Sequence, residues 1–217
     1  MTTRVLIADD HAIVREGLRR ILATDPDFVV LGEAKDGHEV AAAARAGGFD
    51  VLLLDLSMPG RSGIELVRQV KAERPQVRVL VLSMFDEQQY AERAIRAGAS
   101  GYLTKDTAST QLLAALRKIA SGGLFITPAV AEALAVGLQT ADREFPHKRL
   151  SDREYEVFLL LAAGDSLTAI AQRLHLSVKT VSTHKTNILE KMKLGSLAEL
   201  VRYAIAHDLP DSSPPPK

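Results

Sequence analysis

Five short apolar runs recur through the first half of the chain, and an amphipathic stretch of helical period follows each. The runs are 4–8 (RVLIA), 28–34 (FVVLGEA), 51–54 (VLLL), 78–82 (RVLVL) and 101–104 (GYLT). The amphipathic stretches lie near 12–24, 38–46, 62–73, 87–97 and 109–121. Strands separated by helices run parallel, because only a crossover connection returns the chain to the same sheet edge. Helices then cover both faces, which is why the strands read as continuous apolar runs. The pattern predicts an α/β doubly wound five-stranded parallel sheet over residues 1–121.

The ends of these runs are not apolar. Val51-Leu52-Leu53-Leu54 closes at Asp55, followed by Ser57-Met58-Pro59-Gly60. Val5-Leu6-Ile7-Ala8 runs into Asp9-Asp10. Open α/β sheets place their chemistry outside the carboxyl ends of the strands. Two neighbouring strands would crowd three carboxylates there, and their repulsion is best relieved by a hard cation such as Mg²⁺. The fourth run ends at Ser83 and the fifth at Lys105. A hydroxyl and an ammonium beside a metal would neutralise a phosphoryl group carried on Asp55, since carboxylates serve as phosphoryl acceptors.

Composition narrows the classes. Lys+Arg and Asp+Glu both number 27 in 217 residues, so the chain as a whole is no basic coat for nucleic acid, though a local patch stays open. The absence of cysteine excludes disulfides, thiolate metal sites and thiol nucleophiles. No secretory h-region follows Met1-Thr2-Thr3-Arg4, and charges interrupt every apolar run short of the roughly 20 residues of a membrane span. A cytoplasmic location without membrane attachment is expected.

Asp9-Asp10, Asp55 with Met58-Pro59-Gly60, Ser83 and Gly101-Tyr102-Leu103-Thr104-Lys105 together resemble the receiver domain of two-component response regulators, a flavodoxin-like fold, over residues 4–121. The resemblance implies that Asp55 is the phosphoacceptor. It implies Asp10, Asp55 and the backbone carbonyl of Ser57 as Mg²⁺ ligands, with Asp9 acting largely through water. Lys105 would pair with the phosphate. Ser83 and Tyr102 would form a switch, the hydroxyl moving to the phosphoryl oxygen and the ring filling the space it leaves. Ser57 and Phe85 take the positions that flank the hydrolytic water, and Phe85 offers it no hydrogen bond, so a long-lived phosphoryl group is expected. Asp106 follows Lys105 in place of the family's common proline, so no cis-proline bond is assumed there.

From Leu150 onward the pattern is helical throughout. Gly122-Gly123, a short apolar stretch, Pro128 and an Ala-rich segment read as a linker carrying a helix over 122–148. Helices are expected near 152–163, 167–174, 178–192 and 196–207, the first opened by the capping box Ser151/Glu154. This is an all-α four-helix domain over 149–209, followed by a disordered Pro-rich tail, 210–217. Residues 173–193 hold five Lys/Arg against Glu190 alone. Positive charge concentrated on a helix–turn–helix suits a DNA reader. Val178, Val181, Ile188 and Met192 would pack inward, while Lys179, Ser182, Thr183, Lys185 and Thr186 face outward. Lys191 and Lys193 suit a helix C-terminus as solvated charges.

The stretch from Leu150-Ser151-Asp152-Arg153-Glu154 to Leu176-Ser177-Val178-Lys179-Thr180-Val181-Ser182-Thr183-His184 is similar to the LuxR-type DNA-binding domain. That resemblance implies phosphate or groove contacts from Lys179, Thr180, His184 and Lys185. It implies base-facing positions at Ser182, Thr183 and Thr186, and a dimer-forming last helix.

The expected protein is therefore a response regulator of the NarL/FixJ type and not an enzyme. A sensor histidine kinase would phosphorylate Asp55, favouring a homodimer that occupies promoter half-sites on double-stranded DNA. Other readings remain: an aspartyl-nucleophile phosphohydrolase, a receiver that dimerises without phosphorylation, and, for the second half, a four-helix protein-interaction module.

Overall fold

A computed structural model describes residues 2–58, 63–83, 87–139, 145–207 and 209. Pro59, Gly60, Phe85 and the tail 210–217, on which some expectations rest, lie outside the described residues. Two compact units are present, Met1–Ala135 and Val136–Lys217.

The first unit alternates β1 (Thr3–Ala8), α1 (Ala12–Leu22), β2 (Phe28–Ala34), α2 (Gly37–Ala46), β3 (Val51–Asp55), α3 (Ile64–Glu73), β4 (Arg78–Ser83), α4 (Glu87–Arg96), β5 (Gly101–Thr104) and α5 (Lys105–Ala120). The strands form one parallel sheet in the order β2-β1-β3-β4-β5. α1 packs beside α5, and α2, α3 and α4 pack in succession. Strand β3 lies at the centre and every one of its residues is buried, which explains its unbroken apolar run. Its Leu53 belongs to a buried cluster with α1 and α5 side chains, and truncation to Ala there would cost about 2–5 kcal/mol through lost burial and the cavity left behind.

Chain order across the sheet fixes the site. β1 and β3 are neighbours in the register Ala8↔Leu54, so Asp9-Asp10 and Asp55 emerge side by side. Helix α5 begins at Lys105 itself, four residues before its expected start. The polar run Asp106 to Thr110 hides this turn from apolar periodicity, but Thr107 and Thr110 hydroxyls donate back to carbonyls of the preceding turn, as helical hydroxyls do.

The residues assigned to the linker divide between the two units. Gly122, in the left-handed region at φ 91°, and Gly123 turn the chain back at the end of α5. Phe125 then bridges Gly101 on the outer edge of β5. α6 (Pro128–Gln139) follows, and the boundary between units falls within it.

In the second unit a 3₁₀ turn (Pro146–Arg149) precedes α7 (Asp152–Ala162), α8 (Leu167–Arg173), α9 (Val178–Met192) and α10 (Leu197–Ala206). The turn is part of the fold: His147 is buried, with Nδ1 2.8 Å from the Tyr203 hydroxyl of α10. A serine hydroxyl caps each of the four helices, Ser151, Ser166, Ser177 and Ser196, accepting from the backbone three residues on. Val181, Ile188 and Met192 are buried as expected, but Val178 is 45% exposed. It is the first residue of α9, and the face it shares with Val181 meets the neighbouring helices only from the second turn onward. No helix among the described residues is long and apolar enough to cross a membrane.

Candidate functional site

The carboxyl ends of β1 and β3 bring Asp9, Asp10 and Asp55 together, with His11 beside them. One ligand atom from each of the four falls within 4.8 Å of the others. Asp9 and Asp55 are almost wholly buried. Lys105, delivered by the start of α5, spans them: its Nζ lies 2.7 Å from Asp55 Oδ2 and 2.7 Å from Asp9 Oδ2. One ammonium therefore answers two buried carboxylates, with Asp10 adjacent.

The remaining contacts orient the acids. Ser57 N–H donates to Asp55 Oδ1 at 3.0 Å, and His11 N–H donates to Asp9 Oδ1 at 2.8 Å. Arg15 donates to the backbone carbonyl of Asp9 at 2.7 Å and holds Glu33 at 2.8 Å. Burial pushes the Asp55 carboxyl above its ordinary range; repulsion by Asp9 adds to this and Lys105 opposes it. Burial draws the Lys105 ammonium down, but Asp55 and Asp9 outweigh it and hold it above its usual value. Oxygen donors, unrelieved negative charge and a partly open mouth fit a hard divalent cation.

His11 is the residue that sequence reasoning missed. Its Nδ1 stands 2.8 Å from Asp10 Oδ1 and 3.3 Å from Asp9 Oδ1. The signal was its place directly after the two acids, where the turn into α1 brings it back over them.

Ser83 and Tyr102 are both buried. The register pairs Val81 with Tyr102 and Ser83 with Thr104. Alternation along parallel strands therefore puts Ser83 and Tyr102 at diagonal positions on one sheet face. Ser83 stands one residue beyond the row of Asp55 and Leu82.

On α9, Lys179, Ser182, Thr183 and Thr186 are exposed, and Thr180, His184 and Lys185 are half-buried. Thr183 Oγ1 donates to Lys179 O at 3.1 Å and Thr186 Oγ1 to Ser182 O at 3.2 Å, which leaves hydroxyl lone pairs turned outward. His184 is placed differently from the others. Its Nδ1 is buried without a hydrogen-bond partner among the described residues, and burial, then Arg153, lower its pKa. It faces α7 as much as solvent.

Behind α9 lies a charged brace absent from the sequence reading. Arg153 Nη2 donates to Leu174 O, the C-cap of α8, at 2.7 Å, and Arg153 Nη1 reaches buried Glu156 at 2.5 Å. Lys191, at the exposed end of α9, also pairs with Glu154. On α10, Leu197 and Ile205 are 40% and 70% exposed, eight residues apart on one stripe.

Two family models match this chain: the response regulator receiver domain over residues 5–117, and the bacterial regulatory proteins of the luxR family over residues 148–204. Response regulator GacA of Pseudomonas aeruginosa is 34% identical over 211 residues, covering 97% of this chain and 99% of that one. Oxygen regulatory protein NreC of Staphylococcus carnosus is 37% identical over 215 residues, covering 96% and 99%. Among solved structures, RcsB from Salmonella enterica serovar Typhimurium, bound to promoter rprA with the phosphomimetic BeF₃⁻, superposes with TM-score 0.63 at 30% identity over 94% of this chain and 98% of that one. Both halves of the molecule thus fall to one family along nearly the full length, and the chain belongs to the response regulators, transcription factors that join a receiver domain to a LuxR-type helix–turn–helix domain.

Proposed function

We propose that Asp55 accepts a phosphoryl group from a phosphohistidine of a sensor kinase, and that this charge controls how α9 engages promoter DNA. The observation that carries the reading is Lys105, whose ammonium lies 2.7 Å from both Asp55 and Asp9 at the mouth of a buried acidic cluster. An Asp55 oxygen attacks phosphorus; the P–O bond forms as the P–N bond breaks, its electron pair stays on the donor ring nitrogen, and with the proton already carried by the other ring nitrogen the histidine leaves neutral. The role of Lys105 is to neutralise the phosphoryl oxygens and to keep the Asp9 and Asp55 charges tolerable while no phosphate is present. Asp10, Asp55 and the Ser57 carbonyl would hold Mg²⁺, which when bound supplies charge neutralisation across the transferring group, with Asp9 contributing through water.

Ser83 reaches the phosphoryl oxygen and Tyr102, its diagonal neighbour, follows. The response shifts a population toward a homodimer in which two copies of α9 meet half-sites about one DNA turn apart. Lys179, Thr180, His184 and Lys185 contact the backbone or groove; Ser182, Thr183 and Thr186 face base edges. The exposed Leu197–Ile205 stripe suits α10 to the dimer contact. A kinase donor and a promoter DNA partner support a cytoplasmic location.

The test is labelling by acetyl phosphate with Mg²⁺, followed by footprinting on genomic DNA. Wild type takes up one phosphoryl group and gains promoter occupancy; Asp55→Asn folds but does neither. Equal occupancy in both proteins would refute the switch.

A further inference from the structure

We propose that residues Leu124–Ile126 are a clasp that carries the state of β5 into α6, and hence toward the second unit; the idea rests on the phosphoryl-switch reading above. β5 is a strand of four residues at the sheet edge. β4 lies on one side of it. On the other, Phe125 forms a parallel bridge centred on Gly101. Phe125 N–H donates to Ser100 O at 2.9 Å, and Tyr102 N–H donates to Phe125 O at 3.1 Å. The backbone of Tyr102, the aromatic member of the proposed switch, is thus bonded directly to the segment that leaves the receiver. Displacing β5 displaces Phe125 or breaks both bonds.

Three features show that the attachment is built in. Gly101 permits it: a Cβ there would stand 2.9 Å from Phe125 O and 2.8 Å from Leu80 Cδ1. Gly122 and Gly123 return the chain to the edge, and a Cβ at Gly123 would stand 2.9 Å from Lys118 O. The Phe125 side chain packs against the core cluster, with Lys118 Nζ 5.8 Å from its ring centre. The far side of the clasp is stiff as well. Only Ile126 and Thr127 separate Phe125 from α6, whose first residue is Pro128. Proline fits the first helical position, where its missing N–H is no loss. Thr127 caps the turn, its hydroxyl accepting from Val130 N–H at 3.4 Å, and its carbonyl accepts the first helical bond from Ala131 N–H at 3.0 Å. A movement at β5 reaches α6 without a flexible spacer to absorb it.

The experiment uses the full chain, Mg²⁺ with beryllofluoride as the phosphoryl mimic, and a duplex selected from a random pool by the loaded wild-type protein. Wild type binds this duplex about tenfold tighter when loaded, a coupling of ordinary size. Phe125→Pro removes the N–H to Ser100; its loaded-to-free affinity ratio falls to about one, while acetyl phosphate still labels Asp55. Phe125→Leu, which keeps the backbone bonds, keeps the ratio. A Phe125→Pro protein with the wild-type ratio would overturn the clasp. Amide exchange on wild type gives a second reading independent of any variant. Protection at Phe125 and Tyr102 changes together on loading, and unchanged protection at both would also overturn it. A wild-type ratio of one would instead bring down the switch on which the clasp depends.

Discussion

Lys191 on α9 places its ammonium 2.8 Å and 2.6 Å from the two carboxylate oxygens of Glu154, the residue that completes the capping box of α7. One carboxylate thus closes the start of α7 and ties α9 to it. Glu154→Gln keeps the box, because an amide also reaches the Ser151 N–H, and removes only the ion pair. With Lys191 partly exposed, the expected loss is about 0.5–1 kcal/mol. Glu154→Ala loses the cap as well and costs roughly a further 1 kcal/mol. Burial raises the Glu154 pKa, but Lys191 and the Ser151 backbone outweigh it and leave it below its ordinary 4.5. The pair therefore stabilises fully above that ordinary value and loses its contribution as pH falls through the lower folded value. Urea titrations of wild type and Glu154→Gln should differ at pH 7 and converge in acid below pH 4.5.

Arg153, the neighbour of Glu154 on α7, ties that helix to the end of α8. Its guanidinium caps α8 at the Leu174 carbonyl and meets Glu156, which is 1% exposed. Arg153→Met keeps the apolar stem but removes a cation from beside a buried carboxylate, and about 3 kcal/mol of stability should go with it. Arg153→Met with Glu156→Gln together should recover part of that loss, and the double-mutant cycle measures the coupling. Strict additivity of the two single changes would show that the pair does not interact.

Which features were legible in the sequence follows from how each is encoded. The sheet, its helices and the strand-end acids are written in local periodicity and in residue type at fixed steps from an apolar run. Lys105 was legible as a cation at the right strand end, but the start of α5 was not, because Asp106 to Thr110 carry no apolar repeat. Phe125 looked like linker because one bridging residue leaves no period-two signal. The pairs Glu154–Lys191 and Arg153–Leu174 span 37 and 21 residues, beyond any helical spacing, so only the packed fold reveals them. Val178 shows the reverse error: its period matched the core face while its place at the helix start left it outside.

The acidic pocket makes metal binding visible in stability. Asp9 and Asp55 share one ammonium, so a divalent cation held at this cluster would bind the folded receiver and not the unfolded chain. At a concentration 100 times its dissociation constant, Mg²⁺ should add about 2.7 kcal/mol by linkage. Asp10→Asn should remove most of that gain, since Asp10 sits at the partly open side of the cluster, while leaving the metal-free melting temperature unchanged or higher through relief of repulsion. Thermal unfolding across a Mg²⁺ titration, with EDTA as the zero point, checks both. An equal Mg²⁺ response in Asp10→Asn would place the cation elsewhere.

The residues of α9 proposed to meet DNA divide by chemistry into two kinds of contact, and salt would separate them. In the proposed complex, Lys179 and Lys185 would displace counterions from phosphates. Lys179→Gln or Lys185→Gln should weaken binding to every duplex alike and lower the slope of log affinity against log salt by about one. Thr183 is different: its hydroxyl proton is engaged by Lys179 O at 3.1 Å, so it presents lone pairs, which suit the amino groups of adenine or cytosine in the major groove. Thr183→Val keeps the shape and removes the acceptor. It should change which base is preferred at one position in each half-site, at a cost of about 1–3 kcal/mol on the favoured sequence, and leave the salt slope as it was. Selection from randomised half-sites at two ionic strengths reads both quantities at once, and a Thr183→Val protein that lost slope instead of preference would make Thr183 a backbone contact.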